Sequence, residues 1–86
     1  MTIPEEKRLI GKVIHFFTNI NVAVIQLSEK LSVGEKLSFE GATTNFEQRL
    51  DSMQMHNKPV KEASKGDAIG VKVRERVREG DQVFRI

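Results

Sequence analysis

Residues 53–74 read Met-Gln-Met-His-Asn-Lys-Pro-Val-Lys-Glu-Ala-Ser-Lys-Gly-Asp-Ala-Ile-Gly-Val-Lys-Val-Arg, and this stretch decides the fold. Its pattern predicts a strand, a turn-rich connection, a tight Gly66-Asp67 turn and a second strand. Pro59 fixes its own φ and lacks a backbone donor, so we expect strand pairing to stop there. After the Gly-Asp turn, alternate aliphatic residues share one face of the second strand: Ile69, Val71 and Val73.

The same kind of turn occurs three times along the chain. Each copy is a glycine followed by an acid, any residue and an aliphatic: Gly34-Glu35-Lys36-Leu37, Gly66-Asp67-Ala68-Ile69 and Gly80-Asp81-Gln82-Val83. Glycine allows the positive φ of a tight turn, and the acid can accept hydrogen bonds from nearby amides. The spacing of the copies is unequal, which argues against a solenoid and favours a meander-like or Greek-key antiparallel sheet.

Two β-branched and aromatic runs on the N-terminal side predict a hairpin. Leu9–Thr18 is the first strand, and Gly11 within it indicates a bulge or a close backbone approach. Thr18–Asn21 supplies the turn because asparagine tolerates left-handed geometry. Val22–Leu27 is nearly continuous in apolar residues, which is typical of a covered strand rather than an edge.

Two more strands are predicted at Lys36–Glu40 and Asp81–Ile86. The segment Phe46–Met55 is ambiguous. Its apolar residues recur at the i, i+4, i+7 spacing of a helix, whereas Thr-Thr-Asn precedes it and strands surround it. The residues by themselves favour neither structure. Residues 60–65 are expected to form one helical turn at most.

The size of the chain limits the architecture. Its 86 residues, 38% hydrophobic and 30% charged, suit one globular domain. We expect a flexible tail over residues 1–8 and one domain over residues 9–86. A small sheet with free edges would be marginally stable, so closure into a barrel is the expected solution.

Composition also bounds the location of the protein. The chain has no cysteine, no apolar run near the roughly 20 residues of a membrane span, and no apolar leader at its start. We therefore expect a cytoplasmic protein with no membrane partner.

Most sequence signatures of enzymes are absent. The chain has no Gly-x-x-x-x-Gly-Lys-[Ser/Thr] loop for nucleotide phosphates, no Gly-x-Ser-x-Gly elbow and no cysteine nucleophile. Its histidines do not have the spacing of metal ligands; His15 is expected to face out of a strand and His56 to cap or line a turn. We predict no catalytic residue, no metal and no cofactor.

Positive charge is concentrated in the last third of the chain. Residues 1–57 hold six Lys/Arg and seven Asp/Glu (net −1), and residues 58–86 hold eight and five (net +3). Four of these cations alternate with other residues: Lys72, Arg74, Arg76 and Arg78. An extended backbone would align them on one face over about 20 Å. Such a row can follow a phosphate backbone, or it can be a solvated face, and no aromatic lies among the cations to stack on bases.

The order and spacing of these elements resemble domain II, the β-barrel domain of translational GTPases such as elongation factor Tu. The match covers most of residues 10–86, and its matching residues are Gly11-Lys12-Val13, Val33-Gly34-Glu35, Met55-His56, Glu62-Ala63, Gly66-Asp67, Ile69-Gly70, Arg74 and residues 78–83. The resemblance implies a closed antiparallel β-barrel of about six strands, and it assigns Phe46–Met55 to one long strand.

In the elongation factor this barrel helps to hold the acceptor end of aminoacyl-tRNA. The resemblance implies a corresponding pocket here, formed by Gln54, His56, Asn57, Ala68 and Lys72. Of these, His56 is the residue typical of the family at its position, and Lys72 stands where the family has an aliphatic residue.

A second resemblance is to the C-terminal accessory barrel of the collagenase-like peptidase family, some of whose members are tied to tRNA hydroxylation. The stretches that carry it are residues 11–17, Gly-Lys-Val-Ile-His-Phe-Phe, and residues 43–48, Thr-Thr-Asn-Phe-Glu-Gln. This resemblance implies a barrel that serves a larger machinery without catalysing its reaction.

The two resemblances and the charge pattern predict a non-catalytic module that contacts tRNA or another RNA or ribonucleoprotein. The predicted RNA-binding residues are Gln54, His56, Asn57, Lys58, Lys72, Arg74, Arg76 and Arg78. The alternative is an accessory barrel that docks onto a separate protein, a GTPase or an RNA-modifying enzyme, and touches no RNA.

Overall fold

The computed structural model describes residues 7–86, which form an all-β domain as predicted. None of the described residues is helical, so that part of the chain holds no helix that could cross a membrane. The strands are β1 Arg8–Phe17, β2 Val22–Leu27, β3 Leu31–Ser32, β4 Lys36–Glu40, β5 Asn45–Arg49, β6 Met53–Met55, β7 Lys58–Val60, β8 Glu62–Ala63, β9 Ala68–Lys72 and β10 Gln82–Arg85.

The sheet is open, so the predicted closed barrel of six strands is wrong. Eight strands form an antiparallel half-barrel in the order β5-β4-β10-β1-β2-β9-β6-β7, and β3 pairs with β8 separately. The end strands β5 and β7 do not pair with each other. The residues that follow β3 link the ends of these two strands. The Gly34 amide donates to the carbonyl of Leu50, after β5 (2.8 Å), and the Val33 amide donates to the carbonyl of Lys61, after β7 (2.9 Å).

The three glycine-acid turns have the predicted geometry. Their glycines have φ of 101°, 92° and 95°, and each acid accepts a hydrogen bond from the amide three residues before it. The donor-acceptor pairs are Ser32–Glu35 (2.7 Å), Ser64–Asp67 (2.8 Å) and Arg78–Asp81 (2.8 Å). The acid thus satisfies a backbone donor that the turn would otherwise expose.

The N-terminal hairpin is also confirmed. β2 has the predicted bounds and lies between β1 and β9, away from the edges of the sheet. Gly11 sits at a register shift, and a Cβ there would lie 2.6 Å from the Gln26 carbonyl oxygen. The predicted tail over residues 1–8 lies outside the described residues except for Lys7 and Arg8, and β1 begins at Arg8.

Residues 46–65 differ from the predictions. The expected long strand Phe46–Met55 is two strands, β5 and β6, because residues 50–52 belong to no strand. Pro59 does not stop pairing: it lies in β7 opposite Gln54, where an edge strand tolerates its missing donor. Residues 60–65 contain the strand β8 rather than a helical turn.

The core fills the concave side of the half-barrel. Its buried side chains alternate with exposed ones along the strands, and the largest include Phe39, Ile10, Ile25, Leu31, Leu37, Leu50, Met53 and Ile69. Each buried aliphatic or aromatic side chain contributes about 1.5–3 kcal/mol to folding. Val77, outside any strand, is also buried and anchors the connection between β9 and β10.

Candidate nucleic-acid interface

The eight predicted RNA-binding residues are all exposed, and they fall into two groups. Gln54, His56, Asn57 and Lys58 belong to the β6–β7 hairpin, whereas the four cations begin at the end of β9. β6 pairs with β9 through Gln54 and Gly70, so the hairpin lies beside the strand that carries Lys72.

The first group is organised by a two-residue turn. His56 and Asn57 have φ of 54° and 64°, the pair of left-handed conformations that a type I′ hairpin turn requires. His56 therefore lines a turn, as predicted. The turn forms one side of a groove of about 350 Å³, which we call the apolar groove. Its lining residues are Phe17, Ile20, Val22, Val24, Gln54, His56, Asn57, Ala68, Ile69 and Gly70.

Strand register explains why these residues meet. On the outer face of the sheet, Phe17 pairs with Val22, which pairs with Lys72. One step along, His15 pairs with Val24, and Val24 with Gly70. The apolar side chains of β1 and β2 thus lie beside the small residues of β9, and the missing bulk at Ala68 and Gly70 leaves the groove open.

The apolar groove contains four of the five residues implied by the elongation-factor resemblance, namely Gln54, His56, Asn57 and Ala68. The fifth, Lys72, lies at the end of the groove as the cross-strand neighbour of Val22. It lines a second opening instead.

That second opening, the basic cleft, has a volume of about 500 Å³ and is lined by Gln48, Arg49, Asp51, Ser52, Lys72, Val73 and Arg74. Gln48 spans it with its buried carboxamide: its Nε2 donates to the Lys72 carbonyl (3.0 Å), and its Oε1 accepts from the Arg74 amide (2.8 Å). One side chain thereby replaces the missing strand pairing at the open side of the sheet and fixes the backbone that carries both cations.

The four cations do not lie on one extended strand, which was the condition for a single row. β9 ends at Lys72, and the chain bends at Arg74 and Glu75, while Val73, Val77 and Asp81 of the connection to β10 are buried. Lys72 and Arg74 line the basic cleft, whereas Arg76 and Arg78 lie farther on, beside Phe16 and Thr18 of β1 and its turn.

Sequence reasoning missed the contribution of the β1–β2 hairpin. Phe17 and Ile20 are 45% and 58% exposed, and both line the apolar groove. Ile20 could have indicated this contribution, because it is a large apolar residue in a predicted turn, where its side chain has no core to pack against. Phe17 gave no such signal, because a strand residue can face either side.

Acidic groups offset part of the positive charge. The Glu79 carboxylate lies 3.3 Å from Nδ1 of His15, and the Asp51 carboxylate lies 3.8 Å from Nε of Arg49. No ion pair with an acid was found for Lys72, Arg74, Arg76 or Arg78 among residues 7–86. Across the same residues, no three His, Asp or Glu side chains are grouped so that they could hold a metal ion.

Curated relatives match most of the chain. It is 41% identical over 76 residues to an uncharacterized protease of Methanocaldococcus jannaschii, and 30% identical over 82 residues to a collagenase of Porphyromonas gingivalis. These matches cover 87% and 93% of the chain but only 19% and 23% of the relatives, so the chain spans about a fifth of their length. No protein-family model matches the chain.

Solved structures share the fold. The C-terminal domain of a U32 peptidase from Geobacillus thermoleovorans superposes with a TM-score of 0.86 at 16% identity, covering 92% of each chain. A bacterial selenocysteine-specific elongation factor superposes with a TM-score of 0.73 at 22% identity, covering 99% of this chain and 16% of the factor.

Both predicted resemblances are confirmed by these comparisons. The curated relatives are a protease and a collagenase, and the structural neighbours are a peptidase C-terminal domain and an elongation factor. At 16% and 22% identity, the solved structures establish the fold of this chain but not its function.

Proposed function

We propose that this chain is a non-catalytic, accessory-type β-domain that binds RNA, with tRNA as the specific partner. Its contact surface comprises the apolar groove, the basic cleft and the exposed cations Lys58, Arg76 and Arg78, and so includes the eight residues named from the sequence. The cations supply sequence-independent attraction to phosphates, and the groove supplies an apolar wall for a base.

The observation that carries this proposal is the apolar groove. Gln54, His56, Asn57 and Ala68 come from two strands and a hairpin turn, yet they line one opening next to Lys72. An apolar wall supports stacking of a base, polar groups at the rim support hydrogen bonds to it, and a nearby lysine supports contact with a phosphate. The groove opens at a surface whose cations face solvent.

The alternative is a docking domain for a separate enzyme or GTPase, without RNA contact. The observation that favours it is the length of the curated relatives, of which this chain spans about a fifth. Phe17 and Ile20 would then be covered by a protein surface.

Charge reversal distinguishes the two functions. The double variant R74E/R76E changes the formal net charge from +2 to −2, and both side chains are exposed, so the fold should persist. The Arg74 amide keeps its bond to Gln48, because that bond uses the backbone. The control K61E/K65E makes the same change of charge at exposed lysines between β7 and β9.

Binding of tRNA is measured by filter retention at several salt concentrations, and folding by circular dichroism. RNA binding predicts that R74E/R76E loses most of its affinity and that the control retains more of it. Docking alone predicts no salt-sensitive tRNA binding by any of the three proteins, with partner capture unchanged by ribonuclease. That second result would overturn the proposal.

A further inference from the structure

Another opening lies at the start of β1, whereas the apolar groove lies at the end of this strand. It has a volume of about 450 Å³, and we call it the Lys12 groove. None of the eight predicted RNA-binding residues lines it, so it is a separate surface. Its lining residues are Leu9, Gly11, Lys12, Gln26, Leu27, Ser28, Gly80 and Gln82.

Strand register places three long polar side chains side by side in this groove. Lys12 of β1 is the cross-strand partner of Gln82 in β10 on one side and of Gln26 in β2 on the other. Directly opposed residues of neighbouring strands have their side chains on the same face of the sheet. The Lys12 side chain is therefore flanked on both sides by a strand that carries a carboxamide.

The rest of the lining supplies aliphatic surface and open space. Leu9 is 43% exposed and Leu27 is buried beside it in the lining, whereas Gly11 and Gly80 contribute backbone only. Gly11 has no room for a side chain, because a Cβ there would lie 2.6 Å from the carbonyl oxygen of Gln26. An aliphatic wall with a few polar groups around it is typical of a ligand site.

The charge of the Lys12 groove is positive, since its lining contains one cation and no acid. The acids that follow β2 and precede β9 are engaged elsewhere. The Glu29 carboxylate lies 2.6 Å from Nε of Arg8, and the Asp67 carboxylate accepts a hydrogen bond from the Ser64 amide (2.8 Å). Nothing in the groove therefore neutralises the ammonium of Lys12.

The polar groups of the groove have hydrogen-bonding capacity to spare. Among residues 7–86, no ion pair or hydrogen bond was found for the side chains of Lys12, Ser28 and Gln82, which are all exposed. Gln26 donates its Nε2 to the Gly66 carbonyl (2.8 Å), which leaves its Oε1 as an acceptor. A ligand would thus displace water from these groups rather than break an internal bond.

We propose that the Lys12 groove binds the C-terminal residue of a partner polypeptide, with its carboxylate at Lys12 and an aliphatic side chain against Leu9 and Leu27. One ammonium matches the single negative charge of a carboxylate, whereas a phosphate monoester carries nearly two charges. An RNA phosphodiester has one charge, but the groove has no aromatic side chain on which the adjoining base could stack.

The remaining polar groups fit the same residue. The hydroxyl of Ser28 and the carboxamide of Gln82 can donate to carboxylate oxygens, and Oε1 of Gln26 can accept from the last peptide N–H. A C-terminal residue joins its carboxylate and its side chain at one Cα atom, so both can occupy a single groove at once.

The test uses the whole chain labelled with ¹⁵N and two synthetic peptides of sequence acetyl-Gly-Ser-Gly-Ser-Val-Leu, one with a free C-terminal carboxylate and the other amidated. K12Q removes the ammonium and keeps a long polar side chain. K61Q is the matched control, because Lys61 is exposed outside the groove and both variants lower the formal net charge from +2 to +1.

We expect the parent chain to bind the free carboxylate about 10-fold more tightly than the amide. The amides of Gly11, Lys12 and Gln82 should shift during the titration. K12Q should bind the two peptides equally, whereas K61Q keeps the preference. A peptide that ends in Gly instead of Leu should bind more weakly, because it lacks the aliphatic contact.

Equal affinity of the parent chain for the two peptides would overturn the proposal, and so would a preference that K12Q retains. No binding of the free carboxylate up to about 10 mM would overturn it as well. Acetate that binds as tightly as the peptide would indicate a general anion site and refute a polypeptide ligand. None of these outcomes bears on the proposed RNA binding, which R74E/R76E tests on a different surface.

Discussion

The glycine-acid turns and the His56–Asn57 turn both reverse the chain through left-handed backbone, but they expose different chemistry. Gly34, Gly66 and Gly80 adopt positive φ without a side chain, and the acid after each is occupied by a backbone amide. His56 and Asn57 adopt positive φ with side chains that line the apolar groove. Left-handed geometry costs such residues more than glycine.

The difference separates turns that only build the fold from a turn that also presents groups to a ligand. A glycine at position 56 would satisfy the backbone equally well and remove the ring from the groove. Two residues with side chains in left-handed backbone are thus consistent with a binding role for the β6–β7 hairpin. Substitutions in both kinds of turn test whether one kind stabilises the fold and the other binds a ligand.

The largest expected effect is on the third glycine-acid turn. Asp81 is 6% exposed and accepts hydrogen bonds from Thr44 and the Arg78 amide, so D81A leaves the buried Thr44 hydroxyl and the partly buried Arg78 amide without their partner. We expect the free energy of unfolding to fall by about 2–4 kcal/mol in urea melts followed by circular dichroism. D67A removes the equivalent bond at a half-buried site and should cost about 1 kcal/mol. Equal losses would mean that burial does not distinguish these turns.

The next effect has the opposite sign. H56G relieves left-handed strain, so we expect the free energy of unfolding to rise by about 0.5–1 kcal/mol. The same change should weaken tRNA binding, because it removes a side chain from the rim of the groove. H56A keeps the strain and also lacks the ring, so it separates the two effects. A less stable H56G protein would contradict the strain assigned to His56. An unchanged affinity for tRNA would contradict the assignment of this turn to binding.

The smallest effect concerns the ion pair between Lys7 and Glu40. A hydrogen bond from Lys7, and then one from Ser38, lowers the pKa of Glu40 below its ordinary value. A carboxyl whose pKa is lowered by folding stabilises the folded state at pH values above its ordinary pKa. That stability is lost as the pH falls through the folded-state pKa. E40Q should therefore be slightly less stable than the parent at neutral pH and equal to it in strong acid. Urea melts at both pH values measure this, and a difference that grows in acid would reverse the assignment.

Local patterns in the sequence predicted much of the fold. The bounds of β2 and β4 and the glycine-acid turns follow from alternation and turn chemistry within a few residues. The break of Phe46–Met55 into β5 and β6 did not, because Phe46, Leu50 and Met53 are buried in either case and give the same spacing as a helix. Barrel closure failed as a prediction because it depends on which distant strands pair.

The candidate site was predictable only in part. Gln54, His56 and Asn57 could be named from the resemblance, and in the structure they line one groove. The aromatic neighbour of Arg76 and Arg78 could not be named, since Phe16 lies about 60 residues from them in sequence and comes near them through the hydrogen bonds of Val13 with Gly80 and Asp81.

RNA binding by this face is tested most directly by a nuclear magnetic resonance titration of the 9.8 kDa chain, labelled with ¹⁵N, with unmodified tRNA. We predict salt-sensitive shifts confined to the amides of residues 15–22, 54–58 and 70–80, with Gly34, β3 and β8 unaffected. Shifts centred on β3 and β8, or none at tRNA concentrations up to the solubility limit, would contradict the claim that this face binds RNA.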